Sequence, residues 1–201
     1  MATQDDVQKV LDPYHQRIRG VVEKAWEERR AEAAWRAENG MDPLLYSRTV
    51  ANYIFDAIAR IAVNEFAGDA SVHVKVEPQT IKLFFKGGVC ARFKKGDDNK
   101  LGQNQPTQAS LAFEIADAVL LWFPPETAKV EFIWLANELN TRLERVLVIA
   151  RDGDRLLWEY DIDSVVGMLV ALPIAPTPEP PSVASLITPK TTEIKKTEEK
   201  E

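Results

Sequence analysis

The chain has 201 residues, of which 45% are hydrophobic, and a formal net charge of −6. That size and apolar content suit one globular domain with a substantial core, and the acidic balance argues against a general nucleic-acid coat protein, although a local basic patch is compatible with it. The single cysteine excludes an intramolecular disulfide, and no apolar run approaches the roughly twenty residues that span a bilayer. We therefore expect a cytoplasmic protein without a membrane span.

The first third of the chain has the spacing of a long helix. Apolar residues recur at i, i+3, i+4 and i+7 over residues 7–26, and Asp12 followed by Pro13 is a helix start signal inside that pattern. The following segment, residues 23–39, is charged all round, which predicts that the helix continues into solvent. Trp35 lies in this segment, and an exposed tryptophan there would indicate a partner surface.

A second helix is predicted directly afterwards. The Asn-Gly pair at 39–40 ends the first helix, and the Asp-Pro pair at 42–43 repeats the start signal. An apolar stripe that begins at Tyr46 continues until Gly68 ends it. Two helices joined by a short glycine-containing turn favour an antiparallel helical hairpin.

From residue 71 the apolar period changes to two, which is typical of strands. Seven runs are rich in β-branched and aromatic residues, and two glycine-centred turns, Gly87-Gly88 and Asp152-Gly153, predict tight hairpins. The runs are 71–77, 81–86, 89–95, 109–115, 128–135, 144–150 and 155–162. The pattern predicts an α+β fold, with the helical hairpin packed on a mostly antiparallel sheet of six or seven strands.

One domain is expected, with its helices in residues 1–68 and its sheet in residues 69–172. Residues 173–201 are rich in proline and end in charged residues. Because such a segment cannot bury enough apolar surface to fold alone, we predict a disordered tail, which is either a plain solubilising extension or a partner-binding motif.

Familiar catalytic and metal-binding patterns are missing from the sequence. Cys90, His15 and His73 are not spaced as zinc ligands, and neither a G-x-S-x-G motif nor a glycine-rich loop before a helix occurs. We therefore expect no metal and no cofactor, with a magnesium site made of carboxylates alone as the alternative that stays open. Catalytic residues, and whether the protein is an enzyme, stay open.

Positive charge is concentrated between residues 71 and 100. Seven basic residues face three acidic ones there, which leaves +4 inside an acidic chain, and three phenylalanines are interleaved. The basic residues are Lys75, Lys82, Lys86, Arg92, Lys94, Lys95 and Lys100. Basic and aromatic groups on a sheet can hold phosphates and stack bases, but lysines on edge strands also serve only to block aggregation.

The predicted turn at 87–88 assigns faces to this hairpin. A two-residue turn pairs Phe85 with Cys90 and Leu83 with Arg92. Arg92 would then lie on the apolar face, where a buried charge needs an anionic partner or ligand. The opposite face would carry Lys82, Phe84, Lys86 and Phe93.

A polar segment follows the third strand, over residues 96–108, with almost no apolar content. Its amide side chains both donate and accept hydrogen bonds, which suits recognition of bases, peptides or sugars, although a solvated loop is an equal alternative. The candidate binding residues are Arg92, Lys94, Lys95, Asn104, Thr107 and Gln108.

The runs VCARFKKG, LGQNQPTQASLAFE and RVLVIARDGDRLLWEYDI resemble a family of small bacterial and phage proteins. Members share a helical N-terminus, an R-F-K-K strand, a polar L-G-x-N-x-x-T-Q segment and a closing L-W-x-Y strand, and the resemblance covers about residues 5–162. The family has no established catalytic residues, so none is carried over. The shared pattern includes Arg92, Lys94, Asn104, Thr107 and Gln108.

Genes of that family often lie beside one for a helix-turn-helix protein fused to an ImmA/IrrE-like zinc-peptidase domain. Such pairs are similar to the RosmerTA toxin–antitoxin systems of phage defence. The resemblance implies a toxin or effector whose protein partner is that antitoxin. Two alternatives stay open, namely a non-catalytic interaction module (an adaptor or antitoxin-like partner) and a nucleic-acid-binding protein or nuclease.

Overall fold

A computed structural model of the chain describes residues 2–78, 80–102, 113–115, 124 and 126–164. The helices are α1 (Gln4–Leu11), α2 (His15–Glu38) and α3 (Ser47–Glu65), with a 3₁₀ turn over Asp12–Tyr14. The strands are β1 (Val72–Glu77), β2 (Thr80–Phe85), β3 (Val89–Lys95), β4 (Ala128–Ala136), β5 (Leu143–Asp152) and β6 (Arg155–Asp161). The predicted tail, residues 173–201, lies outside the described residues, as do Asn104, Thr107 and Gln108.

The helical hairpin is present, and α2 begins close to the predicted start signal. Pro13 lies in the 3₁₀ turn, and the long helix follows at His15. By contrast, α3 begins at Ser47 and not at the predicted pair 42–43. The carbonyl of Asp42 accepts a hydrogen bond from the Arg36 guanidinium, and Leu44 packs against the core, so the chain stays non-helical until residue 46.

The six strands form one sheet whose spatial order follows the chain, β1-β2-β3-β4-β5-β6. Every neighbouring pair is antiparallel except β3 and β4, which are parallel. The predicted seventh run, 109–115, lies mostly outside the described residues. Only its last three residues are described, and two of them, Phe113 and Glu114, are helical.

The two faces of the sheet are covered differently. The helices pack on one face, where large side chains such as Trp26, Phe85 and Trp134 share one core with residues from all three helices and all six strands. The described parts of the β3–β4 connection lie on the other face, where Phe113 packs against Cys90. That second face carries the charged residues discussed below.

The predicted register of the β2–β3 hairpin is wrong by one residue. Phe85 pairs with Val89 and Lys82 pairs with Arg92, so the turn has three residues, 86–88. A one-residue shift moves every side chain of a strand to the other face. Arg92 therefore lies with Lys82 and away from the helices, while Phe93 packs in the core beneath them.

Gly87 allows the hairpin turn to have three residues where two were predicted. Gly87 has φ +118, and a Cβ atom there would lie 2.9 Å from Cγ2 of Val10 in α1. Only glycine combines that backbone angle with so close an approach. The second predicted turn is also displaced by one residue, because Asp152 pairs with Arg155 and leaves 153–154 as its centre.

Candidate functional site

Two regions of the structure have unusual chemistry. The first is the charge cluster, which we define as Arg92, Glu114, Glu131 and Arg151. All four side chains are buried on the sheet face opposite the helices. The second is the hairpin tip, which we define as residues 27–46, comprising the last part of α2 and its connection to α3.

The charge cluster is built from three adjacent strands. Arg92 on β3 and Glu131 on β4 are direct partners in the parallel pair, so their side chains emerge side by side. The Arg92 guanidinium donates to Glu131 Oε1 from both Nε, at 2.8 Å, and Nη2, at 2.5 Å. These residues are only 4% and 1% exposed, so each charge depends on the other for compensation.

Glu114 joins the cluster from the β3–β4 connection. Its Oε1 accepts a hydrogen bond from Arg92 Nη2 at 3.1 Å, and the ring of Phe113 lies 4.3 Å from the centre of the same guanidinium. The Glu114 carbonyl also accepts a hydrogen bond from the Gly153 amide at 3.0 Å. Arg92 thus ties the described segment 113–115 to the sheet.

Arg151 on β5 holds a second part of the same connection. Its Nη1 donates to the carbonyl of Gly102 at 3.2 Å and lies 3.7 Å from Glu131 Oε2. That oxygen is buried and accepts no hydrogen bond from the described residues. A Cβ atom on Gly102 would lie 2.7 Å from Lys94 Cβ and 3.0 Å from Glu131 Oε2, so glycine is required for this approach.

The four charges alternate in sign and cancel within the cluster. Because every member is buried and contacts another member, the arrangement is a clamp for the connection and presents no charge to solvent. The anionic partner expected for Arg92 is therefore intramolecular. Glu131 and Arg151 were not predicted as site residues. A lone carboxylate inside the apolar run 130–135 would have indicated a buried charge that needs a partner.

The structure separates the predicted binding lysines. Lys94 shares the face of Arg92 and is half-buried, and its pKa is lowered by burial and by the neighbouring Arg92 charge. Lys95 points to the opposite face, where it donates to Asn140 Oδ1 at 2.5 Å and lies 5.8 Å from the Trp134 ring. Burial lowers the pKa of Lys95 as well.

The wider basic hairpin is neutralised in part by local carboxylates. Lys75 and Lys82 both contact Glu77, at 2.9 Å and 2.8 Å, and Lys100 pairs with Glu159. Within the described residues Lys86, Lys94 and Lys95 form no ion pair, and Lys75 and Lys82 share one carboxylate, so the neutralisation is partial. The ion pairs that do form weaken the case for a phosphate-binding surface.

Metal and thiol chemistry find no support among the described residues. Within that part of the chain, no group of three or more His, Cys, Asp or Glu side chains could hold a metal ion. Cys90 is fully buried, and burial raises the pKa of its thiol to about 12, which keeps it protonated and unreactive at neutral pH. None of the described helices is long and apolar enough to cross a membrane.

At the hairpin tip the expected distribution of polarity is reversed. The charged residues on the less exposed side of the helix are half-buried and paired, with Arg29 2.6 Å from Glu32 and Glu32 also contacting Arg36. The solvent side of the same helix segment is mostly apolar. Its exposed apolar residues are Ala31, Ala33, Ala34, Trp35 and Ala37. A segment predicted to be charged all round therefore presents an alanine-rich surface with one tryptophan.

The connection between the helices extends this apolar surface. Trp35 is 55% exposed, Leu45 83% and Tyr46 68%, and Met41 is also exposed. Half of the large exposed apolar side chains in the described residues thus fall within twelve consecutive positions. Tyr46 was expected to begin the buried stripe of α3, and its exposure follows from the later start of that helix.

Comparisons with known proteins identify no relative. No family model, no curated protein and no solved structure matches the chain.

Proposed function

We propose that this protein is a protein-binding module whose contact surface is the hairpin tip. The observation that carries the proposal is the exposure of Trp35, Leu45 and Tyr46 within one short stretch. Contiguous exposed apolar patches mark interaction sites, and tryptophan and tyrosine are enriched where binding energy concentrates. The charge cluster gives no comparable support, because its charges are buried and form ion pairs with one another.

The resemblance to toxin–antitoxin proteins gives this module a biological setting. In that setting the chain is the toxin or effector of a cytoplasmic phage-defence pair, and the helix-turn-helix–zinc-peptidase antitoxin is its protein partner. The hairpin tip supplies an apolar surface on which such a partner would act. Nucleic-acid binding is the weaker alternative, because Lys75, Lys82 and Lys100 are already paired with carboxylates.

Co-expression with the product of the adjacent gene tests the proposal. A tagged wild-type chain should retain that product, and the double variant Leu45→Ser, Tyr46→Ser should retain at least about tenfold less, because anchor residues dominate interface energy. Leu139→Ser is the matched control, since Leu139 is equally exposed but lies outside the tip.

Retention that is equal for the tip variant and the wild type would show that the tip is not the contact. Growth of cells that express the chain alone tests the toxin role separately. Growth arrest that the adjacent gene relieves is expected. Normal growth with the chain alone would contradict a toxin while leaving the binding module intact.

A further inference from the structure

The solvent face of α2 between residues 27 and 38 has an internal symmetry. Arg30, Ala34 and Glu38 follow one another at a spacing of four and therefore lie along one side of the helix, with Ala31 and Trp35 beside them. All five side chains are exposed. Within the part of the chain that the structure describes, neither Arg30 nor Glu38 takes part in an ion pair.

Three charges on this face form no ion pair within the described residues, and two of them, Arg30 and Glu38, are placed symmetrically about Ala34; the third, Glu27, is matched by the uncharged Met41. Arg30 precedes it and Glu38 follows it by four residues, which is about 6 Å along the helix axis in each direction. If two copies of the helix pack antiparallel around a two-fold axis at Ala34, Arg30 of each copy lies opposite Glu38 of the other. A parallel arrangement would place like charges opposite each other.

We propose that the hairpin tip binds a second copy of this chain through an antiparallel α2–α2 contact centred on Ala34. This inference rests on the proposed function, because it concerns the same surface and adds a second copy as its occupant when the heterologous partner is absent. Alanine at the crossing point allows the helix axes to approach to about 8 Å, and the two Trp35 side chains lie beside it and bury apolar area. The Arg30–Glu38 spacing favours this occupant, because these two charges are complementary across the two-fold axis.

The inferred contact is small, since each copy contributes half a helix and a short connection. We therefore expect self-association in the micromolar range, where a heterologous partner that uses the tip can displace the second copy. The dimer then covers the apolar surface when that partner is absent.

Charge exchange on the full chain tests the geometry. Sedimentation velocity from about 1 to about 200 μM should show a monomer–dimer equilibrium for the wild type. Arg30→Glu or Glu38→Arg alone should weaken the dimer about tenfold, because each variant sets like charges opposite each other twice. The double variant Arg30→Glu, Glu38→Arg should restore wild-type association.

A wild type that stays monomeric over this range would overturn the inference, as would single variants that leave the dimer unchanged. Failure of the double variant to restore association would overturn the antiparallel arrangement. Far-UV circular dichroism of each variant shows that the fold is intact, and the exposed positions make that outcome expected.

A cysteine cross-link gives an independent measurement. Ala34→Cys should form an intermolecular disulfide on oxidation, because the two copies of this position meet at the axis. Ala33→Cys is the matched control, since Ala33 is exposed but points about 100° away around the helix. The native Cys90 is fully buried and adds no background. Equal cross-linking at the two positions would contradict the contact.

These results separate the inference from the proposed function. A monomeric chain whose Leu45→Ser, Tyr46→Ser variant no longer retains the adjacent gene product keeps the binding module and rejects the second copy. A chain that dimerises through Ala34 but retains no adjacent gene product keeps the self-association and rejects the two-protein pair.

Discussion

The charge cluster and the hairpin tip contain the same residue types but use them in opposite ways. In the cluster, arginines and glutamates are buried and cancel one another, and their hydrogen bonds hold a connection on the sheet. At the tip, paired charges lie on the inner side of the helix while alanine, tryptophan, leucine and tyrosine face solvent. Satisfied polar groups that are buried stabilise a fold, whereas uncovered apolar groups indicate a partner.

This comparison predicts that the largest effect on stability comes from the cluster. Arg92→Ala removes the cation that hydrogen-bonds to both Glu131 and Glu114 and leaves these buried carboxylates with Arg151 at 3.7 and 3.9 Å, so we expect a loss of about 3–5 kcal/mol in the free energy of unfolding. Urea unfolding followed by tryptophan fluorescence measures it. Arg145→Ala removes an exposed partner of Asp161 and should cost less than about 1 kcal/mol.

An equally small loss for both variants would show that the cluster does not hold the fold. The comparison also predicts that folded Arg92→Ala protein retains a partner as well as the wild type does, since no member of the cluster faces solvent.

The second-largest effect on stability is expected at Gly102, where the β3–β4 connection lies close to the sheet. Gly102→Ala places a methyl group against Lys94 and Glu131, and we expect it to cost about 1–3 kcal/mol through overpacking. Gly20→Ala is the matched control, because Gly20 lies inside α2 with no atom near its added Cβ.

Alanine at position 20 should instead stabilise the chain by about 0.5–1 kcal/mol, through its better helix propensity. Thermal or urea unfolding of the two variants checks the contrast. A neutral Gly102→Ala variant would mean that the connection does not press against the sheet at this point.

The fold class could be predicted from the sequence because the apolar period changes from helical to strand-like at residue 71. The sequence did not predict correctly which β3 side chains face the helices. A Gly-Gly pair permits turns of two or three residues, and the close approach of Val10 of α1 to Gly87 in the longer turn involves a helix distant in sequence. The one extra residue in the turn places Arg92 on the face away from the helices and Phe93 in the core, which is the reverse of the prediction.

The charge cluster and the hairpin tip differed in how many of their residues could be predicted from the sequence. Arg92 was recognised, but its partner Glu131 lies 39 residues away and meets it only through the β3–β4 pairing, and Arg151 reaches the same carboxylate only through the β4–β5 pairing. At the tip, Trp35 was recognised, whereas Tyr46 was assigned to the core because its spacing matched α3. Local spacing shows where apolar residues can align, while the tertiary contacts of Arg36 and Leu44 determine where the helix starts.

The smallest effect on stability is expected at the hairpin tip. Trp35→Ser removes a large apolar side chain that is already 55% exposed, so the free energy of unfolding should change by less than about 0.5 kcal/mol. The same variant should weaken association with whatever covers the tip, because the lost burial occurs only in the complex. Urea unfolding and sedimentation of one preparation measure both quantities. A variant that loses stability but keeps its association would place Trp35 with the cluster, among the residues that hold the fold.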